Sequence, residues 1–229
     1  MNDGFYTMLA AALGCRVYAF EVQQMCVDIA HSMLKRNDFD DAVTILHRPV
    51  SAKNNVAVDI PNLRACDGGF SLRWNASKGG RIGHLGLAVD GGTAMNHFNA
   101  VSLDAFFPPG PTIDVLKLDT EGHEMMVIRG ALGLFRAGRI RKAYVEVMLA
   151  SDPKAAWKSH VAVFKKILHY GYTAQFIGDG RRPKSSSLHC PSAVFTAETW
   201  ADFVQYLRDS RRDRCIDVVL SSKLISSSS

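Results

Sequence analysis

Long apolar runs are missing from this sequence of 229 residues. A helix that crosses a bilayer needs ~20 apolar residues in a row, and the widest apolar runs here fall far short of that length. The first residues also lack a basic segment followed by an apolar one, so no signal peptide is recognised. We therefore predict no membrane partner and favour a cytoplasmic location.

Closely spaced cysteines are missing as well. The cysteines are odd in number and scattered, and none forms a C-x-x-C pair: Cys15, Cys26, Cys66, Cys190 and Cys215. This pattern argues against a disulfide framework and a zinc ribbon, and it favours a reducing compartment. His84 and His97 match no metal-ligand spacing either. We predict free thiols and no metal site.

The sequence contains no cluster of charges of a single sign. The net charge is +5 and the isoelectric point is near 9.0, which is a modest excess. The densest basic stretch, Arg208 to Arg214, is interrupted by aspartates, and this favours a solvated helix end over a phosphate-binding patch. Since the sequence also shows no aromatic-flanked proline motif, a nucleic-acid partner is disfavoured.

Amphipathic helices alternate with short apolar strands along the first part of the chain. A helix between Gly4 and Gly14 is predicted to bury one apolar face, made by Phe5, Met8, Leu9, Ala12 and Leu13. The strand "RVYAF" follows and ends at Glu21, and a second helix then leads to the strand "AVTIL". This alternation predicts parallel strands joined by crossover helices, which is an α/β fold.

The later part of the chain repeats this alternation after a glycine-rich interval. Eight glycines between Asp67 and Gly92 predict a hairpin and loops inserted at a sheet edge, over about residues 61–95. Further strands are predicted at Val115–Leu118, Lys142–Met148, Tyr172–Ile177 and Ile216–Leu220. We expect one domain over residues 1–220 and a disordered serine-rich tail over 221–229.

Acidic residues stand where strands of this pattern end, and open parallel sheets bind ligands at that edge. Glu21, Asp119 and Glu146 qualify, and Glu121 follows closely. Glu21 lies 17 residues after Gly4, close to the ~20 residues that separate a glycine turn from the acid that binds the ribose of NAD or of S-adenosylmethionine. The alternative is that Glu21 is only a solvated strand end.

The stretch "KLDTEGHE" carries the densest set of candidate groups. Asp119 and Glu121 could bind a cation, act as a general base or flank a positive centre. For Glu124 we favour a simple interaction with the dipole of the next helix, and for His123 an exposed polar position over a proton acceptor.

The order of these residues resembles one family. The segment "VSLDAFFPPGPTIDVLKLDTEGHEMMVIRGA" is closely similar to the signature of FkbM-type methyltransferases, with its S/T-L-D triplet and its strand ending in D-x-E-G-x-E. "NDGFYTMLAAALGCRVYAFE" resembles the family's donor loop and second strand, "RPVSAKN" its adenine-pocket segment, and "AYVEVM" the strand with its glutamate. The resemblance covers roughly residues 2 to 177.

The resemblance implies a three-layer Rossmann-like class I methyltransferase, with a mostly parallel sheet whose last strand is antiparallel. The implied cofactor is S-adenosyl-L-methionine, and the implied acceptor is an oxygen of a small molecule or sugar. By position, Asn2 and Gly4 would contact the methionine part of the donor, Glu21 its ribose, and Ser51 would lie beside its adenine. Asp119 would lie at the methyl-transfer crevice with Glu121 and Glu146 around the acceptor, and Asp119 or Glu121 is the candidate base.

Two departures from the family pattern leave alternatives open. Val22 follows Glu21 where the family usually has proline, and nothing precedes Asn2 where the family has the first strand and glycines of its donor loop. We therefore expect a chain that starts at Met1 to be unstable or to bind donor poorly. The alternatives are a truncated, non-catalytic domain that acts as an interaction module, and a nicotinamide-dependent oxidoreductase that shares Glu21.

Overall fold

The structure is a computed structural model that describes residues 4–61, 66, 72–74, 82–84, 95–148, 154–177, 194–209 and 215–223. Its contacts divide the chain into two compact units, residues 1–102 and residues 103–229. No helix among the described residues is both long and apolar enough to cross a membrane. Asn2 lies outside the described residues, as do 224–229 of the predicted tail.

The first unit begins with two helices and two parallel strands. They are α1 (Phe5–Ala12), β1 (Val17–Glu21), α2 (Gln24–Arg36) and β2 (Val43–His47). β1 and β2 pair in parallel from Val17 opposite Val43 to Glu21 opposite His47, so α2 is the crossover helix that the sequence predicts. Gly14 has a φ of 79°, a left-handed conformation that ends α1 at low steric cost.

The predicted buried face of α1 is wrong for four of its five residues, and only Met8 packs against a buried apolar cluster. Phe5, Leu9 and Leu13 are 61%, 46% and 74% exposed, whereas the buried residues of the helix are Thr7 and Ala11. Ala11 packs with Leu34 of α2 and Val43 of β2 in a small apolar cluster. Apolar periodicity locates a stripe on a helix but does not show which side a neighbour covers, and here the small residues face the neighbouring elements.

The other strands described in the first unit pair antiparallel, and an isolated parallel bridge joins Val50 to Val101. β3 (Val56–Pro61) pairs with β6 (Met95–Ala100), and β4 (Leu72–Trp74) pairs with β5 (Ile82–His84). A hairpin therefore lies within the glycine-rich interval, as the sequence predicts. Val58, Ile60 and Ala100 form a second apolar cluster, against which Val22 and Phe98 pack.

Cys26 and Cys66 form a disulfide, so the prediction of free thiols throughout the chain is wrong. The two cysteines are 40 residues apart in the sequence, and the return of the chain along β3 brings their Cα atoms to 4.9 Å. Sequence spacing carries no information about a contact of that kind. Because two of the cysteines are paired, they no longer favour a reducing compartment, and the cytoplasmic location stays a prediction.

The second unit is built around one mixed sheet. Its elements in chain order are α3 (Leu103–Phe106), β7 (Ile113–Leu118), α4 (Glu124–Arg129), α5 (Leu132–Arg136), β8 (Ile140–Met148), α6 (Lys154–His169), β9 (Tyr172–Ile177), β10 (Val194–Phe195), α7 (Trp200–Asp209) and β11 (Cys215–Ser222). The strand order is β10-β9-β11-β8-β7. β7 and β8 are parallel, whereas β11 is antiparallel to both β8 and β9. β7, β8 and β9 thus run in one direction with β11 reversed between the last two, in a mixed α/β fold.

Apolar side chains of the central strands and the helices fill the core of this unit. Its buried residues include Ala143, Val145 and Val147 of β8, Val218 and Leu220 of β11, and Phe164, Ile167 and Leu168 of α6. Phe203 of α7 is fully buried and stacks on Phe176 of β9, with ring centroids 5.3 Å apart. Burial of such large side chains stabilises a fold by roughly 1.5–3 kcal/mol each, so this core fixes the strands that carry the acidic residues.

Candidate functional site

A tight turn follows β7 and carries the D-x-E-G sequence. Glu121 has a φ of 53° and Gly122 a φ of 100°, so two successive residues adopt left-handed conformations. Glycine does this freely, but a glutamate in this region is strained by on the order of 1 kcal/mol. Strain of this kind persists only where the surroundings enforce it, and it concentrates at functional sites.

Glu124 enforces the shape of this turn. The residue is 2% exposed, and one of its carboxylate oxygens, Oε1, accepts hydrogen bonds from Thr120 N at 2.7 Å, Thr120 Oγ1 at 3.0 Å and Gly122 N at 3.0 Å. The expectation that Glu124 only complements a helix dipole is therefore incomplete. Glu124 positions the turn, and through it Asp119 and Glu121.

The turn brings Asp119 and Glu121 close to Glu146 of β8. The β7–β8 register places Leu118 opposite Val145, so the next residues, Asp119 and Glu146, are neighbours across the strands. One carboxylate oxygen from each of the three acids lies within 4.8 Å of the others. The structure thus brings together all three residues that the sequence singles out in this unit.

Asp119 is held in its charged form. Burial raises its pKa, but a hydrogen bond with Glu146 and the ammonium group of Lys117 lower it, and the net result is a pKa below the ordinary value of 3.8. Lys117 Nζ lies 2.8 Å from Asp119 Oδ2. A carboxylate of this kind, at the open end of a strand, can accept a proton or a hydrogen bond from a ligand, and the three acids have a spacing that also suits a cation.

His123 is buried, so the expectation of an exposed polar side chain is wrong. Only 6% of it is exposed, and burial lowers its pKa to about 4. The residue precedes α4, whose Met125 and Val127 pack in the core. His123 is therefore neutral at neutral pH and is a weak base there.

In the first unit, Glu21 lies at the end of β1 with 6% of its surface exposed. Its Oε1 accepts hydrogen bonds from Val22 N at 2.7 Å and Gln23 N at 2.8 Å. These bonds fix the carboxylate against the loop that leads into α2. Glu21 therefore stands at the strand end that the sequence predicts, in a defined orientation.

Two further predicted residues lie in the same unit. Gly4, with a φ of 84°, is the N-cap of α1, a conformation that favours glycine. Ser51 is 4% exposed, and its N–H donates to the carbonyl of Val101 at 2.9 Å. Their roles toward a ligand stay predictions, as does that of Asn2.

One acid of the second unit has a structural role that the sequence did not predict. Asp104, from the S-L-D triplet, accepts hydrogen bonds from Gly133 N and Leu134 N, each at 2.8 Å, and so caps the start of α5. A Cβ at Gly133 would lie only 3.0 Å from that carboxylate, which explains why this position is a glycine.

A second acid that the sequence did not predict at the site is Asp217 of β11. It stands opposite Glu146 and adds a fourth acid beside the cluster. Only the β8–β11 register reveals it.

One comparison with known proteins identifies the chain. A family model described as the methyltransferase FkbM domain matches residues 1–174, about three quarters of the sequence, and includes both Glu21 and the acidic cluster. The comparisons with curated proteins and with solved structures gave no significant match. The resemblance noted in the sequence is thus confirmed: the chain belongs to the FkbM methyltransferase family.

Proposed function

We propose that this methyltransferase uses S-adenosyl-L-methionine to methylate a hydroxyl oxygen of a small molecule or carbohydrate. The cluster of Asp119, Glu121 and Glu146 is the observation that supports this most. An acceptor hydroxyl loses its proton as its oxygen takes up the methyl group, and a charged carboxylate beside it can accept that proton. Asp119 is charged at neutral pH, so one of its carboxylate oxygens can accept that proton.

The first unit offers groups that suit the donor. S-adenosyl-L-methionine supplies an electrophilic methyl group on a sulfonium sulfur. The fixed carboxylate of Glu21 suits the ribose hydroxyls, and the N–H groups at the start of α1, after Gly4, suit the donor's carboxylate. Ser51 and Asn2 are assigned to the adenine and methionine parts by family resemblance alone.

The second unit supplies the groups for the acceptor. Asp119 or Glu121 takes the proton, and Glu146 with the remaining acid forms hydrogen bonds with neighbouring hydroxyls of the acceptor. A polyhydroxylated acceptor matches several carboxylates better than a nucleic acid or an anionic lipid, whose phosphates they would repel. The proposed fold is the three-layer Rossmann-like arrangement, which the parallel pairs β1–β2 and β7–β8 and the reversed β11 support.

Isothermal titration with S-adenosylmethionine tests the donor. We expect saturable heat with the parent protein and an affinity weaker by roughly tenfold or more in Glu21→Gln, because a charged hydrogen-bond acceptor is lost. Glu198→Gln, at an exposed site before α7, is the matched control and should bind like the parent. No heat at millimolar donor would overturn the proposal, and enhanced NADH fluorescence on mixing would favour an oxidoreductase instead.

A non-catalytic interaction module is the second candidate. The observation that favours it is the exposed apolar side of α1, formed by Phe5, Leu9 and Leu13. Several large apolar side chains on one side of a helix are unusual on a surface that faces only water, and they are typical of a surface that binds another protein. The same titration separates the two candidates, because an interaction module gives no donor heat.

A further inference from the structure

The Cys26–Cys66 disulfide lies close in the chain to the end of β1 that carries Glu21. Cys26 stands in the first turn of α2, five residues after Glu21, and is 1% exposed. Cys66 follows β3 and is half-buried. The disulfide therefore joins the start of α2 to the chain that leaves β3.

Noncovalent contacts bring the same two parts of the first unit together. Val22, directly after Glu21, packs against the apolar cluster of Val58, Ile60 and Ala100. His47 donates from Nε2 to the carbonyl of Val22 at 3.1 Å, and its ring meets that of Phe98 at a centroid distance of 5.0 Å. The disulfide thus adds a covalent bond to the contacts that the loop between β1 and α2 makes with β3 and β6.

This loop determines where the carboxylate of Glu21 lies. Val22 and Gln23 donate their backbone N–H groups to Glu21 Oε1, and Gln23 is the N-cap of α2. A movement of the first turn of α2 therefore moves the two donors, and with them the carboxylate. Cys26 lies in that turn and is bonded covalently to Cys66.

We infer that Cys26 and Cys66 form a redox switch that holds the Glu21 loop and thereby sets the affinity of the donor site. The oxidised protein binds the donor more tightly than the reduced protein does. This inference rests on the donor role of Glu21 proposed above. Disulfides in reducing compartments are mostly catalytic or redox-sensing, so the switch is compatible with the cytoplasmic location that the sequence favours.

The chemistry of the switch is thiol–disulfide exchange. A thiolate of a dithiol attacks the half-buried Cys66 sulfur, the S–S bond breaks, and Cys26 leaves as a thiolate that takes up a proton. The second thiol of the reductant then releases Cys66, so two electrons and two protons pass to the protein and the dithiol becomes a disulfide. Oxidised glutathione reverses the process.

Isothermal titration with S-adenosylmethionine tests the switch on protein oxidised with glutathione disulfide and on protein reduced with dithiothreitol, with free thiols counted in each sample. We expect the reduced protein to bind roughly tenfold more weakly, which lies in the usual range for coupling between two sites. Cys66→Ser should bind weakly in both states. Cys15→Ser, which removes an exposed free cysteine, should switch like the parent.

Equal donor affinity in verified oxidised and reduced protein would overturn the switch and leave the proposed function standing. If neither form binds donor, the proposed function fails and the effect on donor affinity fails with it, and amide hydrogen exchange of residues 22–27 then tests whether the disulfide holds the Glu21 loop. Faster exchange on reduction would support the hold on the Glu21 loop, and unchanged exchange would overturn it. Because reduction acts on the folded parent protein, this measurement does not depend on the folding of any variant.

Discussion

Glu124 accepts two hydrogen bonds from Thr120, one from its backbone N–H at 2.7 Å and one from its hydroxyl at 3.0 Å. A third bond from Gly122 N reaches the same carboxylate oxygen. The D-x-E-G turn is therefore held by an acid that stands just outside it.

Replacement of Glu124 should therefore unfold the turn. Glu124→Ala removes the acceptor of two part-buried N–H groups, those of Thr120 and Gly122, and we expect the free energy of unfolding to fall by about 1–2 kcal/mol. Urea denaturation followed by circular dichroism measures this loss. Glu198→Ala, at an exposed site, is the control and should change stability by less than about 0.5 kcal/mol. A loss no larger than that of the control would contradict the role given to Glu124.

Asp104 should contribute to stability as a helix cap. Asp104→Ala removes the acceptor for Gly133 N and Leu134 N, and the typical cost of losing such a cap is about 1–2 kcal/mol. Asp114→Ala is a suitable control because Asp114 forms an exposed ion pair with Arg141, a contact worth less than about 1 kcal/mol. Urea midpoints that do not distinguish the two variants would show that the cap is unimportant.

The buried His123 should make the protein sensitive to acid. Its pKa in the folded state, about 4, is below the value of 6.5 for a free histidine, so the unfolded chain binds more protons between these values. Stability is then complete above about pH 6.5 and falls as the pH drops toward 4, by up to roughly 3 kcal/mol. Unfolding curves between pH 7 and pH 4 measure the slope.

Two variants check that His123 is the source of the slope. His123→Leu should flatten the dependence of stability on pH over this interval, because it removes the group that takes up the proton. His31→Gln, on the exposed side of α2, should retain the slope of the parent protein. A slope that survives in His123→Leu would assign the acid sensitivity to other groups.

Asp119 should be the most sensitive of the three acids in methyl transfer. Loss of a general base typically lowers the rate by about 10²–10⁴-fold, and we expect Asp119→Asn to fall in this range while donor affinity stays near that of the parent. Glu121→Gln and Glu146→Gln are the matched variants. Formation of S-adenosylhomocysteine with a panel of sugars and hydroxylated small molecules provides the assay. A larger loss in Glu121→Gln would assign the base to Glu121.

Local patterns in the sequence were enough to find most elements. β9 runs from Tyr172 to Ile177, as its apolar and β-branched residues predict, and β1 ends at Glu21. The sequence was also enough to group Asp119 with Glu146. Each residue lies at or near the end of a parallel strand, and parallel strands place such residues at the same edge of the sheet, where ligands bind.

Other features depend on contacts between distant parts of the chain, and the sequence did not reveal them. Asp104 caps a helix that begins 28 residues later, and Asp217 meets Glu146 only because β11 enters the sheet beside β8. The Cys26–Cys66 disulfide has the same character. Helical periodicity likewise found α1 but misjudged its buried side, since a neighbour decides which side is covered.

The position of β11 determines when the sheet of the second unit can finish folding during synthesis of the chain. Val218 of β11 pairs with Val145 on one side and with Phe176 on the other, so a strand formed by residues 215–222 joins two pairs of strands made earlier. While the ribosome is still adding those residues, the β7–β8 pair and the β9–β10 pair each present an open apolar edge. Such edges are prone to associate with other chains. The second unit is therefore expected to complete its sheet only after β11 has left the ribosome.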